Sequence, residues 1–462
     1  MNNLEINIYE IKQKKINVFF TFVFLLGLYS GISFYITDDL FIPYIFCGVT
    51  AIYFFIMNLK DLKAYHLSPF AFLAVITFIG IIFSDQMSEY FFERIKGFVQ
   101  LFYSIIISFV FYLNLRKWKI RAVSSLFFVL IIIILIGTCL EIFTDFKDIS
   151  DDLREKIFKG NLYDADLRDI YFYGMIRPKL FTEEPSHVAK FYLLCLFVWF
   201  SLSDNRVRYV IMFLFTALGI VLIRSHLILI IIPISIVVEA FYRKKIRLNF
   251  KIKYKGIFVE KSFAILIILI TIMLISSINT IVDKRVDQII SGDDDSFKLR
   301  FTGPIIIAYE VLKKYPIFGA GISGKEAIEE IINNVYYNLD VKYYSVYSFS
   351  TNLIMSYFIY FGVFGGIIFG IGIYILVKRQ KIIKKNLLFI IFIFFSQTMG
   401  GFVSMRPWGY FFIIAAVTSF SSYYERNIPK DTSCKNINVK QQKIKNPIKK
   451  HYITAKRNYI VI

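Results

Sequence analysis

Between residues 177 and 187 the chain reads Arg177-Pro178-Lys179-Leu180-Phe181-Thr182-Glu183-Glu184-Pro185-Ser186-His187. Two cations and two carboxylates this close together can hold a pyrophosphate and take the proton of a hydroxyl, the parts needed to move a sugar from a lipid pyrophosphate to an alcohol. The same residues equally describe the solvated start of a helix, with Glu184 and Ser186 near its N-cap. Arg224, in Arg224-Ser225-His226, has apolar sequence on both sides, where a charge is costly unless it faces a cavity, a partner or the interface. It reads as an anion contact, the alternative being an arginine that snorkels to headgroups. Arg300 could aim a guanidinium at the same site, and Gly303-Pro304 just after it reads as a helix start whose N-terminus would add anion affinity. Most loop arginines are simply solvated, and Arg285 is a weaker substitute. Pro316-Ile317-Phe318-Gly319-Ala320-Gly321 is a turn that lets backbone pass closely. It is as readily a plain turn as a binding element, and it lacks the strand and the Lys-Ser or Lys-Thr of a phosphate-binding loop.

Other chemistries find no support. His66, His187, His226 and His451 are scattered, as are Cys47, Cys139, Cys195 and Cys434, so neither metal nor disulfide spacing is present and no metal or cofactor is expected. No nucleophile elbow accompanies a Ser, His and Asp set.

These residues must be positioned by apolar elements, for 57% of the 462 residues are hydrophobic and the mean hydropathy is +0.59. That composition argues against a water-soluble or disordered chain, and the continuous apolar runs argue against an outer-membrane barrel with period-two alternation. The expected fold is an all-α polytopic bundle of about twelve membrane-spanning helices, each about 20 residues long. They fall at 16–36, 40–58, 67–84, 97–115, 122–143, 188–203, 209–222, 226–242, 257–278, 351–377, 386–403 and 409–424. The first run is too long for a signal-peptide core and has no small-residue cleavage site, so it reads as an uncleaved span. The stretch 209–242 reads as a tight hairpin with Arg224-Ser225-His226 at its tip, since one tilted helix there would invert the second half of the chain.

The organisation is then spans 1 to 5 (1–143), a first large loop (144–187), spans 6 to 9 (188–278), a second large loop (279–350), spans 10 to 12 (351–424) and a basic tail (425–462). In the second loop Ala308, Val311, Leu312 and Tyr315 recur at helical spacing before Pro316, which predicts an amphipathic helix lying at the membrane surface. Aromatics at 336–347 could stack on sugar faces, although interfacial aromatics are the plainer reading. Gly362, Gly365, Gly366, Gly370 and Gly372 suit close helix packing better than catalysis. The formal charge of +20 does not point to nucleic acid. The cations cluster in short segments between apolar runs, such as Arg116, Lys117, Lys119 and Arg121, and in the tail. The positive-inside rule makes those segments and both termini cytoplasmic and the two large loops external.

Four features taken together resemble the bacterial O-antigen polymerases (Wzy-type), within the wider group that also holds the O-antigen ligases. They are Arg177 with Glu184-Pro185-Ser186 before a span; Arg224-Ser225 at a short external turn; Arg300, a helix and Pro316, Gly319 and Gly321; and Asn352 with Gly362 and Gly365 in the following span. The resemblance covers roughly residues 170 to 370. Ligases of the group carry a His directly before the position of Asn352, and Thr351 stands there; the second motif is Arg-Ser where the family more often has Ser-Arg. The missing His argues against a ligase and leaves Glu184 and His187 as candidates for the acceptor's base.

The resemblance implies a glycosyltransferase of the bacterial inner membrane, acting at the periplasmic face. It would move an undecaprenyl pyrophosphate-linked glycan onto another lipid-linked repeat unit and release undecaprenyl pyrophosphate. Arg177, Glu184, Arg224 and Arg300 would be catalytic, and Lys179, Glu183, His187, Gly319, Gly321 and Asn352 would bind substrate. Partners would be the lipid-linked donor and acceptor, membrane lipids and a chain-length regulator in the membrane. A lipid-linked oligosaccharide flippase would also have about twelve spans, but charges would be expected inside more of them and the long second loop would have no use. A ligase remains the competing enzyme, and a passive scaffold leaves the external Arg and Glu unexplained.

Overall fold

The computed structural model describes residues 3–37, 41–62, 64–84, 88–158, 162–203, 208–225, 227–228, 287–288, 291–292, 294–341, 352–379, 388, 392–393 and 395–427. Residues Met1–Ser422 form one compact unit; of a second, Tyr423–Ile462, a helix end is described.

Apolar runs fold as helices because each helix satisfies its own backbone where no water can. In chain order they are α1 (Asn3–Ser30), α2 (Ile45–Asn58), α3 (Ala64–Ile82), α4 (Phe91–Leu115), α5 (Ile120–Phe143), α6 (Phe146–Ile157), α7 (Asp166–Tyr173), α8 (Pro185–Leu202) and α9 (Arg208–Ile223), then α10 (Gly303–Lys314), α11 (Glu329–Asn338), α12 (Leu353–Arg379) and α13 (Met405–Asn427). The chain is mostly helical; among the described residues α4, α5, α8 and the part of α12 from Leu353 to Ile375 are long and apolar enough to cross a membrane, and four further apolar helices are shorter.

The elements differ from the hydropathy reading in instructive ways. The first apolar run does not stay helical to residue 36: α1 ends at Ser30, and Phe34–Tyr35 pairs antiparallel with Phe41–Ile42. The first large loop carries two helices, α6 and α7, that hydropathy alone left unassigned. The predicted spans 226–242 and 257–278 lie almost wholly outside the described residues, as do Arg285, His226, Thr351 and a smaller part of 386–403.

The predicted helix in the second loop exists but does not begin at Gly303. Asp294 caps a helical turn at Asp295–Phe297, its carboxylate accepting the Phe297 N–H at 3.1 Å. A π turn, Lys298–Thr302, then runs straight into α10, with the Gly303 N–H already bonded to the Lys298 carbonyl. The anion-attracting N-terminus expected at Gly303-Pro304 is therefore absent: those residues are interior, and the strong N-cap at Asp294 moved the start upstream. Nor is the apolar face of α10 left over for lipid, since Ile307, Ala308 and Val311 are buried and α10 packs on α11 and α12. Gly303 has no room for a side chain, because a Cβ would meet the Tyr336 ring at 2.4 Å.

One glycine shapes the frame of the site. Gly362 (φ 60°) breaks the regular backbone inside α12, and the 316–320 turn docks into the break: Ala320 N–H donates to the Ile359 carbonyl at 2.8 Å, while Val363 and Gly365 N–H donate to the Pro316 and Ile317 carbonyls at 3.0 and 3.1 Å. Backbone groups freed by the kink are thus satisfied by the turn. Gly319 lies so close that a Cβ would sit 2.3 Å from the Ile359 oxygen.

Side-chain contacts gather many helix ends at one end of the bundle. Arg406 at the start of α13 reaches the last carbonyls of α1, Tyr44 before α2 bonds Ser404, and Glu141 near the end of α5 holds the segment leading to α8. The ends of α9 and the start of α12 join them through Arg224 and Asn352.

Candidate functional site

The segment between α7 and α8 is held in a strained turn. Leu180 and Phe181 both adopt left-handed backbone (φ 40° and 60°), uncommon for residues with a Cβ. Such a turn makes a concave nest of N–H groups, and this nest is filled from within. Glu141 Oε2 accepts the N–H of Lys179 at 3.1 Å and of Leu180 at 2.8 Å, and Ser150 Oγ accepts that of Phe181 at 3.3 Å. Arg154 clamps the outside, donating to the carbonyls of Thr182 at 2.7 Å and Glu183 at 3.1 Å. Strain held this firmly fixes the residues that follow, namely Glu183 and Glu184 at the mouth of α8.

Pro185 occupies the first turn of α8, where its missing N–H costs nothing. Glu184 is the N-cap by backbone but its carboxylate caps nothing. It accepts from Ser186 Oγ at 2.9 Å and faces Arg300 Nη2 at 3.8 Å. Glu183 faces Arg406 Nη1 at 3.8 Å and His187 Nε2 at 3.7 Å. Lys190, one turn further down α8, donates to Ser186 Oγ at 3.5 Å. Both carboxylates lie deep in the molecule yet keep 45% of their side chains accessible, as groups lining an open cleft do.

The two neighbours are driven apart electrostatically. Burial pushes the Glu183 carboxyl above its ordinary value, with Arg406 opposing and Glu184 adding to the rise. Burial would push Glu184 up as well, but Arg300, Lys190, the Ser186 hydroxyl and Arg406 outweigh it and hold that carboxyl below the ordinary range. Adjacent carboxylates tuned in opposite directions are suited to different tasks, one to stay ionised and one to exchange a proton.

Asn352 ties the backbone of Arg300 to the start of α12. Fully buried, its Oδ1 accepts the N–H groups of Ile354 and Met355 at 3.2 Å, capping α12. Its Nδ2 donates to the Arg300 carbonyl at 3.2 Å and to Gln397 Oε1 at 3.0 Å. The π turn that carries Arg300 is thereby tied to the start of α12. Gly319 lies at the α12 kink and Gly321 against Ser84 and Arg94.

The remaining cations named by the sequence stand elsewhere in the same end of the bundle. Arg177 pairs with the buried Asp169 at 3.0 Å, donates to Tyr163 Oη at 2.5 Å and lies over the rings of Tyr163 and Tyr173. Lys179 is 4% exposed and pairs with Asp166 at 3.1 Å and Asp151 at 3.4 Å. Arg224, left-handed at the end of α9 (φ 52°), donates to the carbonyls of Val221 and Tyr173. Glu183, Glu184, His187 and Arg300 are thus brought together, Arg177 and Lys179 are enclosed by the acidic loop, and Arg224 adjoins that loop at Tyr173.

Arg406 escaped the sequence reading. It is 8% exposed and donates to the Leu28, Tyr29 and Ser30 carbonyls at 3.4, 3.1 and 3.1 Å. A cation at a helix C-terminus meets the unpaired carbonyls and the negative end of the dipole. Glu141 escaped as well; the signal for it was a carboxylate inside an otherwise apolar run, which in a membrane requires a partner.

Helices fit to span a membrane, with cations and two carboxylates gathered at one end of the bundle, define a membrane protein with a polar site at its surface. Residues 211–370 match a family model described as O-Antigen ligase; the matched stretch includes Arg224, Arg300, Asn352 and the docked turn, and begins after Glu184. No curated protein matches the chain. The match is a likeness over that stretch alone, and it does not separate polymerase from ligase.

Proposed function

We propose that the chain is a surface-polysaccharide polymerase that joins undecaprenyl pyrophosphate-linked repeat units at the periplasmic face of the bacterial inner membrane. The observation that carries the reading is the loose approach of Arg300 to Glu184, 3.8 Å, beside Lys190: a cation that faces a carboxylate without closing on it leaves its donors for an entering anion. In the reaction the bond between the donor sugar's anomeric carbon and the pyrophosphate oxygen breaks. A bond from that carbon to the acceptor's hydroxyl oxygen forms, the hydroxyl proton passes to a base, and lipid pyrophosphate leaves. Arg300 stabilises charge on the leaving group, a preorganised electrostatic contribution that is large in a water-poor site. A carboxylate of the Glu183 and Glu184 pair, or His187, takes the proton.

Thr351, directly before Asn352, favours polymerase over ligase; the description of the matching family favours ligase. Complementation of a polymerase-null strain making the matching repeat unit separates them. The polymerase reading expects wild type to restore a multi-repeat glycan ladder and Arg300→Ala, expressed at the same level, to leave a single-repeat band. Single-repeat glycan newly attached to its surface lipid by the wild type would make the protein a ligase. Lipid-linked repeats stranded on the cytoplasmic side in its absence would make it a flippase.

A further inference from the structure

Lys190 lies in α8, a helix otherwise apolar from Val188 to Leu202 apart from Ser201, and is 5% exposed. An ammonium carries three donors, and removing it from water is costly unless opposite charge and hydrogen bonds compensate. Among the described residues the compensation is one bond at 3.5 Å, to a Ser186 hydroxyl that already donates its own proton to Glu184, and the charge of Glu184 itself. Glu184 lies in turn toward Arg300. An ionisable residue kept inside a span marks a polar pathway or a bound polar group.

The order of the groups along α8 says which polar group. Glu184 caps the helix and Lys190 is six positions further, so its Cα stands roughly 9 Å deeper along the axis at 1.5 Å per residue. Side chains on a helix lean back toward its N-terminus, and the Lys190 amine reaches Ser186 accordingly. A polyprenyl pyrophosphate entering this end of the bundle has its tail in the membrane and its sugar outside, so its two phosphates lie at different depths. Lys190 comes to Glu184 from inside the span, by way of Ser186, and Arg300 comes to it from the second loop. We propose that Lys190 binds the lipid-proximal phosphate of a polyprenyl pyrophosphate, as the inner half of a divided anion subsite whose outer half is Arg300. The inference rests on the polymerase reading for the identity of the lipid.

Full-length protein in lipid nanodiscs, titrated with polyprenyl monophosphate and with polyprenyl pyrophosphate and read by native mass spectrometry, tests it. The monophosphate carries only the lipid-proximal phosphate. Lys190→Met should weaken binding of both lipids by about tenfold or more, the size of one lost charge-assisted contact, and Lys190→Arg should recover part of it. Arg300→Gln should weaken the pyrophosphate and leave the monophosphate close to wild type. Folded Lys190→Met that binds both lipids as wild type does overturns the inference alone, and so does Arg300→Gln that weakens both equally; should the Met variant not fold, Lys190→Gln is read on the same criteria. Wild type that retains neither lipid overturns the inference and the polymerase reading together.

Discussion

Two groups of cations sit within a short distance of each other and differ in how closely their partners approach. In the acidic loop Arg154 meets Asp151 at 2.5 Å, Lys147 meets Asp166 at 2.8 Å, Arg177 meets Asp169 at 3.0 Å and Lys179 meets Asp166 at 3.1 Å. At the mouth of α8 the corresponding separations are 3.8 Å for Arg300 to Glu184, 3.8 Å for Arg406 to Glu183 and 3.5 Å for Lys190 to a mere hydroxyl. The first set is closed at hydrogen-bond length and its charge is spent on folding. The second stands just beyond that length, where an anion's oxygens can insert at Arg300 and Lys190, while Arg406 also spends its Nε and Nη2 donors on the carbonyls of α1. Residue types are the same in both, so spacing within the fold, and not composition, divides structural cations from available ones.

The largest effect should come from the open group. Arg300→Ala is expected to lower transfer by about 10²–10³-fold, the usual cost of one preorganised donor at developing charge, with the protein's thermal midpoint nearly unchanged. Transfer measured with lipid-linked donor and acceptor, alongside a melting curve in the same detergent, checks it. A midpoint that collapses with the activity would erase the distinction between the groups.

The closed group should show the opposite pattern. Arg177→Met leaves Asp169 buried with its main partner gone, and breaking such a pair costs about 3–5 kcal/mol. The expectation is a strongly lowered midpoint, with transfer retained at temperatures where the variant stays folded. Acid probes the same group. Burial pushes the Asp166 carboxyl up, but its bonds to Lys147 and Lys179 outweigh that and hold it below the ordinary value. A depressed carboxyl adds stability above its unfolded pKa and loses it as pH falls through the folded value. The acidic loop should therefore open to proteolysis first in acid, and Lys147→Met should move that opening to higher pH.

A finer separation lies between the paired glutamates. If Glu183 must be ionised to accept a proton, transfer rises as pH climbs through its raised pKa, so the acid limb of the pH profile stands above the ordinary Glu range near 4.3. Arg406→Gln removes the cation that opposes the rise and should move the limb further up. Glu183→Gln should remove the limb along with most of the rate. A limb unmoved by Arg406→Gln would assign the titration to another group.

Much of this frame is legible in the sequence because apolar runs, Pro185 at a helix start and Asn352 before a span each act locally. Helix positions follow within a few residues: the 122–143 run appears as α5, the 188–203 run as α8. What the sequence conceals is pairing at a distance. Nothing near Arg177 says that Asp169 will occupy it, and nothing near Arg406 says that α1 will end beneath its guanidinium. The nest at Leu180 and Phe181 is equally silent, since neither is a glycine and the carboxylate filling the nest comes from α5.

The smallest expected effect isolates aim from contact. Asn352→Ser keeps a hydroxyl acceptor for the Ile354 and Met355 N–H groups, so the cap of α12 survives. It loses the Nδ2 donors to the Arg300 carbonyl and to Gln397. Asn352→Ala loses both the cap, worth about 1 kcal/mol, and the tether. If Asn352 acts by aiming Arg300, both variants should lower transfer by a similar modest factor, about tenfold, while Asn352→Ala alone shows the lost cap as a lower midpoint. Turnover should fall more than apparent donor affinity, because a misdirected guanidinium still attracts the pyrophosphate but meets its developing charge poorly. Equal losses of affinity and turnover would instead make Asn352 a support for the whole cleft. Arg300 would then owe its place to the π turn and its Asp294 cap, and the open group would depend on the second loop's own fold.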